Sequence, residues 1–127
     1  MKKTILATLV TFLSFSVQAD VINCFSESIR STYSMSQLTL TYLNMQAAKG
    51  EKKEFAVFKN VSFQIRSPGV FELVSKEKKV LQTLSLNNQG SDGRSDMVYP
   101  YNLNDTSGVM FESVNQGGCT SNYFKAK

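Results

Sequence analysis

Residues 38–42 read Leu38-Thr39-Leu40-Thr41-Tyr42, and residues 61–65 read Val61-Ser62-Phe63-Gln64-Ile65. In each run apolar and polar residues alternate. An extended strand sends successive side chains to opposite faces, so a period of two builds one apolar and one polar face. A helix would instead need apolar residues three and four apart. Both runs are expected as half-buried β-strands.

The same period extends outward from them. Phe55 and Val57 flank Ala56; Phe71 and Leu73 open a segment that continues through Val74; and Val80, Leu84 and Leu86 share one parity with Gln82 between them. The polar run Ser75-Lys76-Glu77-Lys78-Lys79 is expected as a hairpin tip, and Pro68-Gly69 as the turn before it. Met97, Tyr99, Tyr101 and Leu103 share the next parity, and Pro100, which has no N–H to donate, places this strand at a sheet edge or a bulge. Residues 104–108 turn the chain into Val109, Phe111 and Ser113, and Gly117-Gly118 then lead to Cys119. Around residues 28–35 the parity changes: Ile29, Tyr33 and Met35 lie on one face and Leu38 to Tyr42 on the other. A bulge or break near Ser36 is required if both are strands, and a short helix is the alternative. The class is all-β, a small antiparallel barrel or sandwich of about seven or eight strands.

The first 19 residues are expected to be a secretory signal peptide. Lys2 and Lys3 supply a positive start, Ile5 through Val17 an apolar stretch, and Val17-Gln18-Ala19 a small-residue cleavage site. The stretch is shorter than the ~20 residues needed to span a bilayer, so no transmembrane anchor is expected after cleavage. Residues 20–127 then form a single domain, exported to the periplasm or secreted, and the net charge falls from +4 to +2. The only two cysteines are Cys24 and Cys119, near opposite ends of that domain. Without histidine or further cysteines they cannot complete a zinc shell, and in an oxidising compartment they are expected to form a disulfide joining the terminal regions.

The longest polar run, residues 87–96, joins two expected strands with more residues than a tight hairpin needs. Its candidate partner-binding residues are Ser91, Asp92, Arg94, Ser95 and Asp96. Alternatively, Asp92 and Asp96 cap turns and pair locally with Arg94. A calcium site from Asn88, Asp92, Ser95 and Asp96 lacks the EF-hand spacing and its closing Glu, and no metal is expected. Histidine-dependent nucleophilic catalysis is excluded by composition. The Ser75-x-x-Lys78 spelling falls in a hairpin tip, not on a helix where it would align the two groups. Glu72, Asp92, Asp96 and Glu112 are available as carboxylates, but no spacing pairs them for glycoside hydrolysis. No catalytic residue and no cofactor is assigned.

Lysines gather in two runs, Lys49, Lys52 and Lys53 in one and Lys76, Lys78 and Lys79 in the other, with Glu51, Glu54 and Glu77 interleaved. They are expected as solvated loops unless the two tips are adjacent, when an anionic surface would be attracted. Nucleic acid is not expected as a partner, because the aromatics sit at core parity.

The run Ser91-Asp92-Gly93-Arg94-Ser95-Asp96-Met97-Val98-Tyr99-Pro100-Tyr101, followed by Gly117-Gly118-Cys119, resembles the tail of small bacterial envelope β-barrel proteins of unassigned function. In that group a Cys precedes the Ser-Asp-Gly turn and pairs with the final Cys; here Gly90 occupies its place, leaving Cys24. The resemblance implies a small barrel and no particular activity. More distantly, the chain is similar to periplasmic inhibitors of C-type lysozyme, which are small exported β-barrels with a disulfide joining the chain ends. Their Ser-Gly-x-x-Tyr stretch is missing here. That similarity implies an inserting loop carrying Ser91, Asp92, Arg94 and Ser95, with Arg94 meeting carboxylates of a lysozyme cleft. The expected function is a non-catalytic binding or interaction domain, its partner a protein or an envelope component. The alternatives are an envelope-associated structural protein and a cofactor-free carboxylate hydrolase.

Overall fold

The structure is a computed structural model and describes residues 21–110 and 116–121. The expected signal peptide and residues 111–114 of the strand expected after Val109 lie outside the described residues. All regular structure in the described residues is β: β1 (Val21–Ser26), β2 (Ile29–Ser34), β3 (Thr39–Asn44), β4 (Glu54–Lys59), β5 (Ser62–Ser67), β6 (Val70–Val74), β7 (Val80–Gly90), β8 (Tyr99–Asp105) and β9 (Gln116–Ser121). They form one antiparallel sheet in the order β4-β3-β2-β1-β9-β8-β7-β6-β5.

The hydrogen-bonded ladder is open, with β4 and β5 at its edges. Neighbours alternate in direction, so these two edge strands run the same way. Only Asn60 and Val61 separate them, and Asn60 bends the chain with a φ of 62°. They are two halves of one bent run, the first paired with β3 and the second with β6. The nine strands are one more than the seven or eight expected.

The sheet is curled tightly. β3 and β8 lie four places apart in the ladder, about 19 Å if the sheet were flat. Yet the Tyr42 hydroxyl on β3 donates to Asp105 Oδ2 on β8 at 2.5 Å, and Gln82 Nε2 on β7 donates to Ser31 Oγ on β2 at 2.9 Å. The enclosed core is Ile22, Cys24, Tyr33, Leu40, Tyr42, Val61, Leu73, Leu81, Leu84, Tyr101, Leu103 and Cys119. The Cys24–Cys119 disulfide links β1 to β9 directly across their pairing, fastening the terminal regions. Such a bond belongs to an oxidising, non-cytoplasmic environment. Among the described residues, no helix is long and apolar enough to cross a membrane.

Several local expectations change. Residues 29–34 are a strand, and the parity break is a turn over residues 35–38, where Leu38 takes a φ of 53°. The opposite face of β4 turns inward: Ala56 and Phe58 pack on the core because they stand opposite the buried Tyr42 and Leu40, while Val57, opposite Thr41, and Phe55, at a register shift, stay exposed. Ile65 and Leu86 are exposed as well. β7 runs to Gly90, so the polar loop begins at Ser91, and Met97 is exposed ahead of β8. Pro100 sits in an interior strand at a bulge, opposite the interval between Leu86 and Gly90 where β7 loses register.

Candidate functional site

The loop after β7 is organised by one carboxylate. Asp92 Oδ1 accepts the backbone N–H groups of Arg94 and Ser95, each at 2.8 Å, and Oδ2 accepts the Ser95 hydroxyl at 2.9 Å and the Tyr99 hydroxyl at 3.1 Å. Ser91 Oγ accepts the Gly93 N–H at 3.1 Å, and Ser95 Oγ accepts the Met97 N–H at 3.3 Å. Short polar side chains that bond backbone two or three residues on are what fixes such turns. The donors favour the charged form: the N–H groups of Ser95 and Arg94, then the Ser95 hydroxyl, hold the Asp92 carboxyl down at about 2. Burial, and then the bond to Asp92, push the Tyr99 phenol up.

The loop does not project freely from the sheet. On β1, Ile22, Cys24 and Ser26 are buried, so Phe25 faces the other way, outward. Tyr99 packs against this outer face, its ring centroid 5.6 Å from that of Phe25. It lies where Gly118, paired with Phe25, has no side chain: a Cβ there would stand 2.6 Å from the Tyr99 ring. Gly90 likewise passes so close to the Tyr101 carbonyl and the Gly118 backbone that no Cβ fits. On the far side of Phe25 the Arg30 guanidinium sits 5.6 Å from its ring centroid. Finally, the Glu27 N–H donates to the Asp92 carbonyl at 2.6 Å, tying the loop to the β1–β2 turn, where Glu27 takes a φ of 55°.

Two grooves flank this folded-back loop. One, of about 410 Å³, is lined by Phe25, Glu27, Ile29 and Met45 on one side and Asp92, Arg94 and Ser95 on the other. The second, of about 290 Å³, places Ser91, Asp92 and Gly93 against Ser26, Glu27, Asn102 and Gln116. Of the candidate residues, Ser91, Asp92, Arg94 and Ser95 thus border grooves; Asp96 is exposed and lines neither. The expected local pairing with Arg94 is corrected in part. Asp92 does cap the turn, but it binds the Arg94 backbone, and Arg94 forms no ion pair with any described residue.

The chain matches no family model, no curated protein and no solved structure.

What the site can do follows from which groups are spent. All four hydrogen bonds to Asp92 come from within residues 92–99, leaving its oxygens no role in gripping a ligand without dismantling the turn. Among the described residues, no group of three or more His, Cys, Asp or Glu gathers as a metal site would require. Glu72 is held by Arg66 at 2.6 Å, and Glu112 lies outside the described residues. Phe25, Glu27, Met45 and Tyr99 complete the site and are not identifiable as site residues from sequence. The nearest signal is Ser26-Glu27-Ser28 between two apolar alternations, which marks a turn but not its neighbour 65 residues later.

Proposed function

We propose that this chain is an exported, non-catalytic interaction domain, acting in the periplasm or after secretion, whose partner meets the loop carrying Ser91, Asp92, Arg94, Ser95 and Asp96. The observation that carries this reading is the contrast within that loop. Asp92 fixes the backbone while the Arg94 side chain beside it is exposed and unpaired among the described residues. A guanidinium on a backbone that is already ordered offers two parallel donors to a carboxylate with little further loss of freedom on binding. Exposed Met97 and Val98 follow it and add apolar surface that a protein partner would cover.

Export is supported by the character of residues 1–19 and by the disulfide. The partner chemistry is a protein cleft that presents carboxylates. A cell-wall hydrolase of the C-type lysozyme kind is the instance implied by the more distant similarity to periplasmic lysozyme inhibitors, whose Ser-Gly-x-x-Tyr stretch this chain lacks. A hydrolytic role for the chain itself is the weaker reading: Glu27 and Asp92 share a groove, but Asp92 is committed to its own turn.

The test is capture of partners from the periplasmic fraction together with a lysozyme inhibition assay. Wild type is expected to inhibit saturably and Arg94→Ala to lose at least about tenfold in affinity, as when one charge-assisted pair is removed. No inhibition by wild type removes the lysozyme assignment. Capture of a partner unaffected by Arg94→Ala removes the loop assignment.

A further inference from the structure

The ladder decides which loops share an end of the molecule. β1, β3, β6 and β8 all run in one direction, so the connections that follow them emerge together. Two of these are the lysine runs: residues 45–53 after β3 and residues 75–79 after β6. Both border the connection after β8. Lys52 and Val109 line one groove of about 400 Å³, the Val109 N–H donates to Ser107 Oγ at 3.1 Å, and Lys79 Nζ donates to the Ser107 carbonyl at 3.3 Å. The two runs are therefore gathered around one connection at the same end of the molecule.

Lys49, Lys52, Lys53, Lys76, Lys78 and Lys79 are all exposed, and none forms an ion pair with a described residue. Of the three glutamates among them, Glu51 is occupied by accepting the Ala48 N–H at 2.9 Å. With Glu27 of the β1–β2 turn, which lines the groove beside Lys52, six cations face four anions, a net charge at this end as large as the +2 of residues 20–127 as a whole. At its margin stand two exposed apolar side chains, Met45 at 40% and Phe55 at 45%.

We infer that this lysine-rich end docks on an anionic lipid surface, with the lysines over phosphate headgroups and Met45 and Phe55 reaching the interfacial layer. Lipid fits better than an acidic protein because the cations are all lysines, flexible point charges on two loop tips. A planar surface of mobile phosphates can satisfy them without geometric match, whereas a protein carboxylate pair favours the arginine fork. Charge combined with a modest apolar contact gives reversible attachment, which neither signal provides alone.

Protein recovered from cells expressing the full-length sequence is mixed with vesicles of phosphatidylcholine alone or equimolar with phosphatidylglycerol, and the bound fraction is read by sedimentation. Binding is expected only to the anionic vesicles, weakening steeply as salt rises. The variant with Lys52, Lys53, Lys76 and Lys78 all changed to Gln should lose at least about tenfold in affinity. These are exposed positions, and the salt series on unmodified protein gives an independent reading should the variant fold poorly. Equal binding to neutral vesicles, no salt dependence, or an unchanged variant overturns the inference. So does soluble polyglutamate binding as tightly as the vesicles, which would assign the surface to an acidic protein.

Discussion

At the scale of single residues, most of the specificity lies in polar groups whose partners are fixed. Inside the curl, Asp105 is only 3% exposed and forms no ion pair with a described residue; its carboxylate is met instead by the Tyr42 hydroxyl, Gln82 Nε2 at 3.1 Å, and the Ser107 N–H and hydroxyl at 3.0 and 2.6 Å. Burial, and then the Asp105 charge, push the Tyr42 phenol far up, so it remains a donor at any pH where the fold exists. Asp105→Ala takes the acceptor from the buried Tyr42 hydroxyl and from the Ser107 N–H and hydroxyl, while Gln82 Nε2 keeps Ser31 Oγ, and should cost about 3 kcal/mol or more, read from urea unfolding. Leu38 is the converse case. It is a large exposed side chain at a φ of 53°, where a non-glycine residue other than Asn or Asp is strained, so Leu38→Asn should raise stability by up to about 1 kcal/mol in the same measurement. Asp92 sets an acid limit. Its carboxyl is depressed to about 2 from 3.8, so the order it confers is complete above about 4 and is lost as pH falls through about 2. Protection of the Arg94 and Ser95 amides, their exchange taken relative to the intrinsic rate at each pH, should fall as pH drops over that interval and stay constant above it.

Among elements, the folded-back loop depends on glycines in a strand it covers. Gly118→Ala puts a methyl group into the Tyr99 ring and should destabilise by about 1–3 kcal/mol, since neither the ring nor the β9 backbone can move aside without breaking contacts. Its particular signature is faster exchange at the Glu27 amide, which is bonded to Asp92; a change confined to global stability would contradict the layered arrangement. This element also shows where reading from sequence reaches and where it stops. Leu40, Tyr42, Tyr101 and Leu103 are buried as their alternation requires, because mid-strand parity is a local property. Tyr99 shares that parity yet lies outside the core cluster, because the register break opposite Pro100 separates it from Tyr101 and pairs it with Gly90 but not with β9. Phe55 and Val57 fail because β4 sets Ala56 and Phe58 opposite the buried Tyr42 and Leu40. The polar turn at Ser91 to Ser95 is legible, since Asp-Gly beside serines bonds backbone locally. The grooves are not, because Phe25, Glu27 and Met45 reach them through strand pairing that leaves no mark in neighbouring residues.

The whole molecule is an open sheet that must stay curled although its ladder never closes. Besides the bonds across the curl, one link holds its edges together and another keeps its centre from splitting. The edges are joined by the Asn60-Val61 corner, where Val61 is fully buried, its N–H donating to the Leu38 carbonyl at 2.8 Å and its own carbonyl accepting the Tyr33 hydroxyl at 2.6 Å. The centre of the ladder is joined by Cys24–Cys119, where β1 and β9, the first and last strands, pair across 95 residues of chain. That second pairing is the costliest to form, since every other neighbouring pair of strands is consecutive in sequence and needs only a local loop. A covalent tie there removes much of the entropy that separation would gain in the unfolded chain. Changing both cysteines to serine should therefore cost about 3–5 kcal/mol, a fall in melting temperature on the order of 20 °C. The loss should appear mainly as exchange of the β1 and β9 amides, with the β2–β3 and β6–β7 hairpins protected longer. Uniform loss of protection across all strands would mean that the meander on each side depends on the central seam and cannot outlast it.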